Sequence, residues 1–432
     1  MTMANHAQRR TQLAARLGHG VAVIPTAPER PRNRDTHYAY RPDSYFHYLC
    51  GFPEPEAVLV IVGGDEPHSV LFCRDKDLER EIWDGFRYGP AGAQDAFGID
   101  EAHSITELDA RMPALLGNRP ALYCHLGEDP AWDARVIGWL NQVRAQVRTG
   151  VTAPSELRDV HALLDAMRVV KDADELAIMR RAAAISTAAH ERAMRTTRPG
   201  RHEYEIEAEL LHEFRRHGSA APAYTSIVAG GANACVLHYV QNDAPLKDGD
   251  LLLIDAGCEL DCYASDITRT FPVNGRFTAP QQAIYELVLA AQAAAIAQVK
   301  PGNTWNMPHD AAVRVLAQGM LDLGLLTGTL DGVIESEAYR RYYMHRTGHW
   351  LGKDVHDAGS YKEDGAWRTF EPGMVLTVEP GCYVRRGEGV PDKYADIGVR
   401  IEDDVVVTAS GCEVITAPPK TVADITRLMR GD

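Results

Sequence analysis

Asp255, Asp266, His349, Glu379 and Glu402 constrain this chain more than any other feature of its sequence. Each lies beside a short apolar run or a glycine, so the carboxylates are carried toward a core. A carboxylate there needs a partner, because burying an uncompensated charge costs several kcal/mol or more. A fold in which the five residues converge meets that need for all of them. Four carboxylates and one imidazole make an oxygen-rich set suited to two hard or borderline divalent metals.

The local patterns support convergence. Asp255 closes the run LLLID, and Asp266 lies in YASDITRTFPV. A tight hairpin centred between Leu260 and Asp261 sets Asp255 directly opposite Asp266. Like charges facing each other on one sheet surface are destabilising unless something neutralises them, and a divalent metal is the usual remedy. The alternative is two ordinary strand-end or turn aspartates. Glu379 ends VLTVEPG, a strand stopped by Pro380 and Gly381. Glu402 lies in GVRIEDDVVV, read as one strand with Arg400 on the same face. A salt bridge from Arg400 is the alternative to a ligand role for Glu402.

The segment MHRTGHWLGKDVHD supplies His345, His349 and His356. Its H-x3-H spacing lacks the glutamate of the HExxH zinc motif, and Gly348 and Gly352 oppose a helix. One histidine as ligand, with the others as proton donors or oxyanion stabilisers, fits better. His238, in ACVLHYVQND after the flexible AGGAN, is a fourth candidate.

Composition narrows the classes. A net charge of -15 disfavours a nucleic-acid partner, because phosphate binding draws on clustered Lys and Arg. The opening MTMANHAQRRTQLAARLGHG is too polar for a signal-peptide core, and nowhere do about 18 apolar residues run together, so no membrane span and a cytoplasmic location are expected. The eight cysteines include no CxxC pair and read as reduced core thiols; Cys258 and Cys262 form a C-x3-C half-site without a second half.

At 432 residues the chain predicts two domains, 1–165 and 166–432, with the boundary between Val160 and Lys171. In the first, VAVIP, EAVLVIVGG, SVLFC and PALYCHL read as strands and Ala131 to Val147 as an amphipathic helix, which together predict an α/β domain. The stretch VTAPSELRDVHALLDAMRVVKDADE reads as the connection. In the second, helical stretches 173–197 and 203–217 end at Arg198-Pro199-Gly200 and Gly218, while 281–299 and a later helix end at Lys300-Pro301-Gly302 and near Gly324. Strands follow each pair. The pattern predicts two related helix-helix-sheet halves, with a coincidence of Pro-Gly punctuation as the alternative.

On these residues the chain resembles the pita-bread metallopeptidases, and among them the Xaa-Pro aminopeptidases (aminopeptidase P). The matching stretches are IDAG, SDITRTFPVNG, FEPGMVLTVEPG, RIEDDVVV and MHRTGHWLGKDVHD, with YAYRPDSYFHYLCGFPEPEAVLV and EIWDGFRYG in the first half. The resemblance implies an α/β first domain and an α+β pita-bread catalytic domain with an internal pseudo-twofold repeat. It also implies two divalent ions, usually Mn(II), on Asp255, Asp266, His349, Glu379 and Glu402, with Asp266 and Glu402 bridging. The reaction implied is release of the first residue from peptides with proline second, through a hydroxide between the metals. Catalytic histidines fall on His238, His345 and His356, a supporting arginine on Arg400, a tryptophan near the substrate entrance on Trp83, and an acidic residue presented to other subunits on Asp35. A homo-oligomer, dimer or tetramer, is implied. Prolidase, restricted to dipeptides, shares the fold and metals and stays open at this point; methionine aminopeptidase usually lacks such a first domain. The reading from another class is a metal-free binding module on the same scaffold, against which the intact ligand set stands.

Overall fold

The computed structural model describes residues 2–431, which divide into two compact units between Met167 and Arg168. The first is built on a mixed six-stranded sheet of β1 (Val21–Pro25), β2 (Val58–Val62), β3 (His68–Cys73), β4 (Glu101–Ser104), β5 (Ala121–Tyr123) and β6 (Glu156–Arg158). Their order is β4-β3-β2-β1-β5-β6. Alternate residues of β1 feed two cores: Ala22 and Ile24 pack with Leu13, Phe46 and Leu164, whereas Val21 and Val23 pack with Leu108, Met112 and Trp139. This period of two is what a strand covered by helices on both faces requires.

The stretch 151–175 is not simply a connection, as its sequence suggests. Glu156–Arg158 pairs in parallel with β5 as the sheet's edge, and the helix His161–Arg168 buries Leu164 against the first core. All three residues of β6 are exposed, so no apolar alternation marks it.

In the second unit the repeat is explicit. Helix Ala173–Thr196 opens on a capping box of Asp172 and Glu175, and helix Ala279–Ile296 on one of Thr278 and Gln281. Gly200 and Gly302 follow them at φ of 90° and 88°. The second helices, Glu203–Arg216 and Met307–Asp322, are each followed by a positive-φ glycine, Gly218 and Gly324. Strands then come in both halves: Thr268–Pro272, Leu251–Asp255 and Ile227–Gly230 in one sheet, and Val375–Val378, Asp403–Val407 and Cys412–Val414 in another. No described helix is long and apolar enough to cross a membrane.

Two local expectations are corrected. The hairpin register is offset by two residues, so Asp255 faces Thr268 rather than Asp266. Asp261 and Cys262, both at positive φ, form a two-residue turn between Leu260 and Tyr263. An offset of two preserves the face, leaving Asp266 diagonal to Asp255 on the same side. Likewise GVRIEDDVVV is not one strand: Ile397–Arg400 pairs with Gly381–Val384, and Asp403–Val407 joins a different sheet, with Ile401 and Glu402 in the break.

Candidate metal centre

The break at Glu402 and the end of Leu251–Asp255 bring the acidic residues together. The Glu402 backbone N–H donates to Thr268 O at 3.0 Å, and the Thr268 hydroxyl donates to Glu402 Oε2 at 2.7 Å. The Tyr224 hydroxyl donates to Asp255 Oδ1 at 2.6 Å and also contacts Asp266 Oδ1, bridging the two aspartates. Gly257 allows this approach: a Cβ there would lie 1.6 Å from Ser265 O.

His349 stands on the opposite side, on the glycine-flanked loop that the sequence indicates is not helical. Its Nε2 lies 3.4 Å from Asp266 Oδ2 and 3.8 Å from Glu379 Oε1, while Nδ1 lies 2.9 Å from Trp350 O. The Nδ1 contact turns Nε2 toward the carboxylates. Asp266, His349 and Glu402 each place one donor atom within 4.8 Å of the others. Glu379 follows Val375–Val378 and is pinned by its N–H to Thr347 O at 2.8 Å.

Arg400 does not pair with Glu402 as the sequence alternative holds. Its Nη2 donates to Asp255 Oδ2 at 2.7 Å, Nη1 to the Tyr383 hydroxyl at 2.9 Å and Nε to Thr268 Oγ1 at 3.1 Å. Negative charge is still in excess. Burial raises the Glu402 carboxyl well above its usual range, reinforced by Asp266, Glu379 and Asp255. Burial likewise lifts Glu379 to about 7, against His349 and Arg400. Burial opposes charging of His349, yet the contacts with Asp266 and Glu379 raise it to about 9. Crowded carboxylates held up in this way are a receptor for cations, whose charge lets every ligand ionise.

The other histidines surround this cluster. His345 Nε2 lies 2.8 Å from the Tyr383 hydroxyl, and burial drives its pKa down to about 4, so the ring is neutral. The His356 ring packs edge-on to His349, centroids 4.3 Å apart, and is depressed by burial and then by His349. His238 is exposed and close enough to act electrostatically on both.

Residues 177–409 match the model of metallopeptidase family M24, and residues 6–123 that of the aminopeptidase P N-terminal domain. The chain belongs to metallopeptidase family M24, in its Xaa-Pro aminopeptidase branch. It is 46% identical over 425 residues to a Xaa-Pro aminopeptidase of Haemophilus influenzae, covering 98% of this chain and 96% of that one. The solved aminopeptidase PepP of Pseudomonas aeruginosa superposes with a TM-score of 0.98 at 52% identity, covering 100% of this chain and 98% of that chain. A Zn-substituted Escherichia coli aminopeptidase P in complex with product has a TM-score of 0.97 at 43% identity, covering 100% of this chain and 99% of that chain. As an M24 metallopeptidase with kinship along its whole length, the chain is an Xaa-Pro aminopeptidase rather than a prolidase.

Trp83 and Asp35 lie in the first unit, both exposed, Trp83 on helix Leu78–Asp84. Sequence reasoning missed Tyr224, Thr268 and Tyr383, which orient the charged groups. It also missed Asp404, whose carboxylate accepts the Asp266 N–H at 3.2 Å. Thr268 and Asp404 sit two residues from Asp266 and Glu402 in the sequence, and that spacing was the available signal. Tyr224 and Tyr383 carried none.

Proposed function

We propose that Asp255, Asp266, His349, Glu379 and Glu402 would hold two divalent ions, Mn(II) in the cell, with Asp266 and Glu402 at the centre of the ligand set. The site releases the first residue from peptides with proline second. The observation that carries this reading is the convergence of four carboxylates and an imidazole from separate strands and loops onto one buried cluster with Arg400 as its fixed cation. Bound ions supply Lewis acidity, polarising the peptide carbonyl and lowering the pKa of water.

The chain's own groups do the rest. Glu379 takes a proton from the attacking water and returns it to the departing proline nitrogen. His356 and His238 donate hydrogen bonds to the charge that grows on the carbonyl oxygen. His345, neutral and packed against Tyr343 and Tyr383, lines the pocket for the proline ring. An Xaa-Pro bond has no N–H to offer, so recognition falls to ring contacts. Arg400 orients Asp255 and works against the upward pull of burial on its carboxyl. Trp83 and Asp35 are substrate-side residues in this reading, Asp35 acting across copies of a dimer or tetramer. A chain whose described residues form no disulfide fits a reducing, cytoplasmic setting.

The test is cleavage of Xaa-Pro-Xaa, Xaa-Pro and Met-Ala-Xaa peptides by chelated protein with and without Mn(II). Mn-dependent release of the first residue from the proline tripeptide is expected. Cleavage of the dipeptide alone would make the activity that of a prolidase, and no cleavage under any metal would leave a binding module.

A further inference from the structure

We propose a second metal site, in the first unit, formed by His125, Asp159 and His161 and taking Zn(II). β5 and β6 run parallel with Tyr123 beside Arg158, and the Cys124 N–H continues the ladder to Arg158 O at 3.0 Å. His125 and Asp159 therefore emerge side by side just past the carboxyl ends of two adjacent parallel strands, where open α/β sheets place their ligands. His161 is the first residue of the helix that follows, and its N–H donates to Asp159 Oδ1 at 2.9 Å. The backbone beneath all three is thus fixed by strand pairing and by a helix start.

The donors are already gathered. His125 Nδ1 lies 3.2 Å from Asp159 Oδ2, and one atom from each of the three residues lies within 4.8 Å of the others. Tetrahedral zinc, with bonds of roughly 2.0–2.1 Å to nitrogen and 2.0–2.2 Å to oxygen, needs donors about 3.3 Å apart. The His125 and His161 rings stack, centroids 3.9 Å apart, with Tyr45 on the far side of His161. Closing on an ion requires both imidazoles to turn out of this stack, His161 leaving Tyr45 as well as His125. Glu128 Oε1 lies 3.4 Å from His125 Nε2, the ring nitrogen turned away from Asp159, so it orients the imidazole and leaves the fourth position to water. Two imidazoles with one carboxylate favour a borderline ion over Mg(II), Ca(II) or Mn(II). This donor set differs in kind from the carboxylate-rich cluster of the second unit, so the proposal stands independently of that cluster's assignment.

The experiment counts zinc. Chelated full-length protein is titrated with Zn(II) against a chromogenic chelator of micromolar affinity, comparing wild type, Asp159→Asn and the double variant His125→Ala/His161→Ala. Wild type is expected to hold one equivalent more than either variant, with Mn-dependent peptidase rates the same in all three. The extra equivalent should persist when His349→Ala disables the other cluster, which separates failure here from failure there. Asp159→Asn keeps the side-chain shape at an exposed position, so the test survives if the double variant misfolds. Equal zinc in wild type and Asp159→Asn overturns the proposal.

Discussion

Glu379 combines a ligand position with a carboxyl that burial lifts to about 7, whereas His356 stands beside the ligands without being one of them. Glu379→Gln and His356→Ala should each lower kcat by at least about 100-fold, the scale of lost general acid-base or oxyanion assistance. Elemental analysis after Mn(II) loading checks that the His356 variant keeps its metal; near-normal turnover with metal bound would refute the roles assigned. His190 makes a different residue-scale prediction. It is fully buried, one ring nitrogen lies 2.9 Å from Ala256 O and the other has no partner, and burial depresses its pKa to about 4. Unfolded, it titrates near 6.5. The unfolded chain therefore binds the extra proton between those values. Its contribution is full above about pH 6.5 and is lost as pH falls toward 4, by about 3 kcal/mol over the window. Urea unfolding of His190→Gln across this range should show a shallower pH dependence than wild type. The five acidic and histidine ligand candidates were legible because charge inside apolar runs is anomalous. Tyr224 was not, since a tyrosine beside a proline and small residues is unremarkable until the fold sets its hydroxyl between two aspartates.

At the scale of elements, the strand period carried the sequence reading through an error of register. Asp261 and Cys262 take left-handed conformations without the Asn-Gly or Asp-Gly signature of a two-residue turn, so the turn was placed one position off, which shifts the pairing by two while the shared face survives. The break at Glu402 was invisible for the opposite reason. No proline or glycine marks it; it arises because Glu402 N–H bonds across to Thr268 O and Gln292 Nε2 reaches Ile401 O at 3.3 Å, contacts distant in sequence. Gly257 is where the hairpin is least tolerant. Gly257→Ala would push its methyl into Ser265 O and part the segments bearing Asp255 and Asp266. A loss on the order of 3 kcal/mol in urea unfolding is expected, with weaker Mn(II) binding by equilibrium dialysis. Unchanged affinity would mean the two aspartates do not depend on this close approach.

For the whole molecule, metal and fold are linked. Ions that bind only the folded chain add about 2.7 kcal/mol of stability each at a hundredfold excess over Kd. Mn(II) should therefore raise the unfolding midpoint of chelated protein, and Asp266→Asn should remove most of that rise; a metal-independent midpoint in wild type would argue against the cluster as a receptor. The two-unit plan could be read from length and from the change of pattern along the chain, whereas β6, three exposed residues long, had no apolar signature to announce it. Arg400 carries one last consequence. Its guanidinium joins Asp255, Thr268 and Tyr383 from three strands, while backbone hydrogen bonds hold Asp266, Glu379 and Glu402 independently of any ion. A frame held by bonds between protein groups predicts ions that come and go at the tempo of ligand release, with no refolding of the chain to slow them.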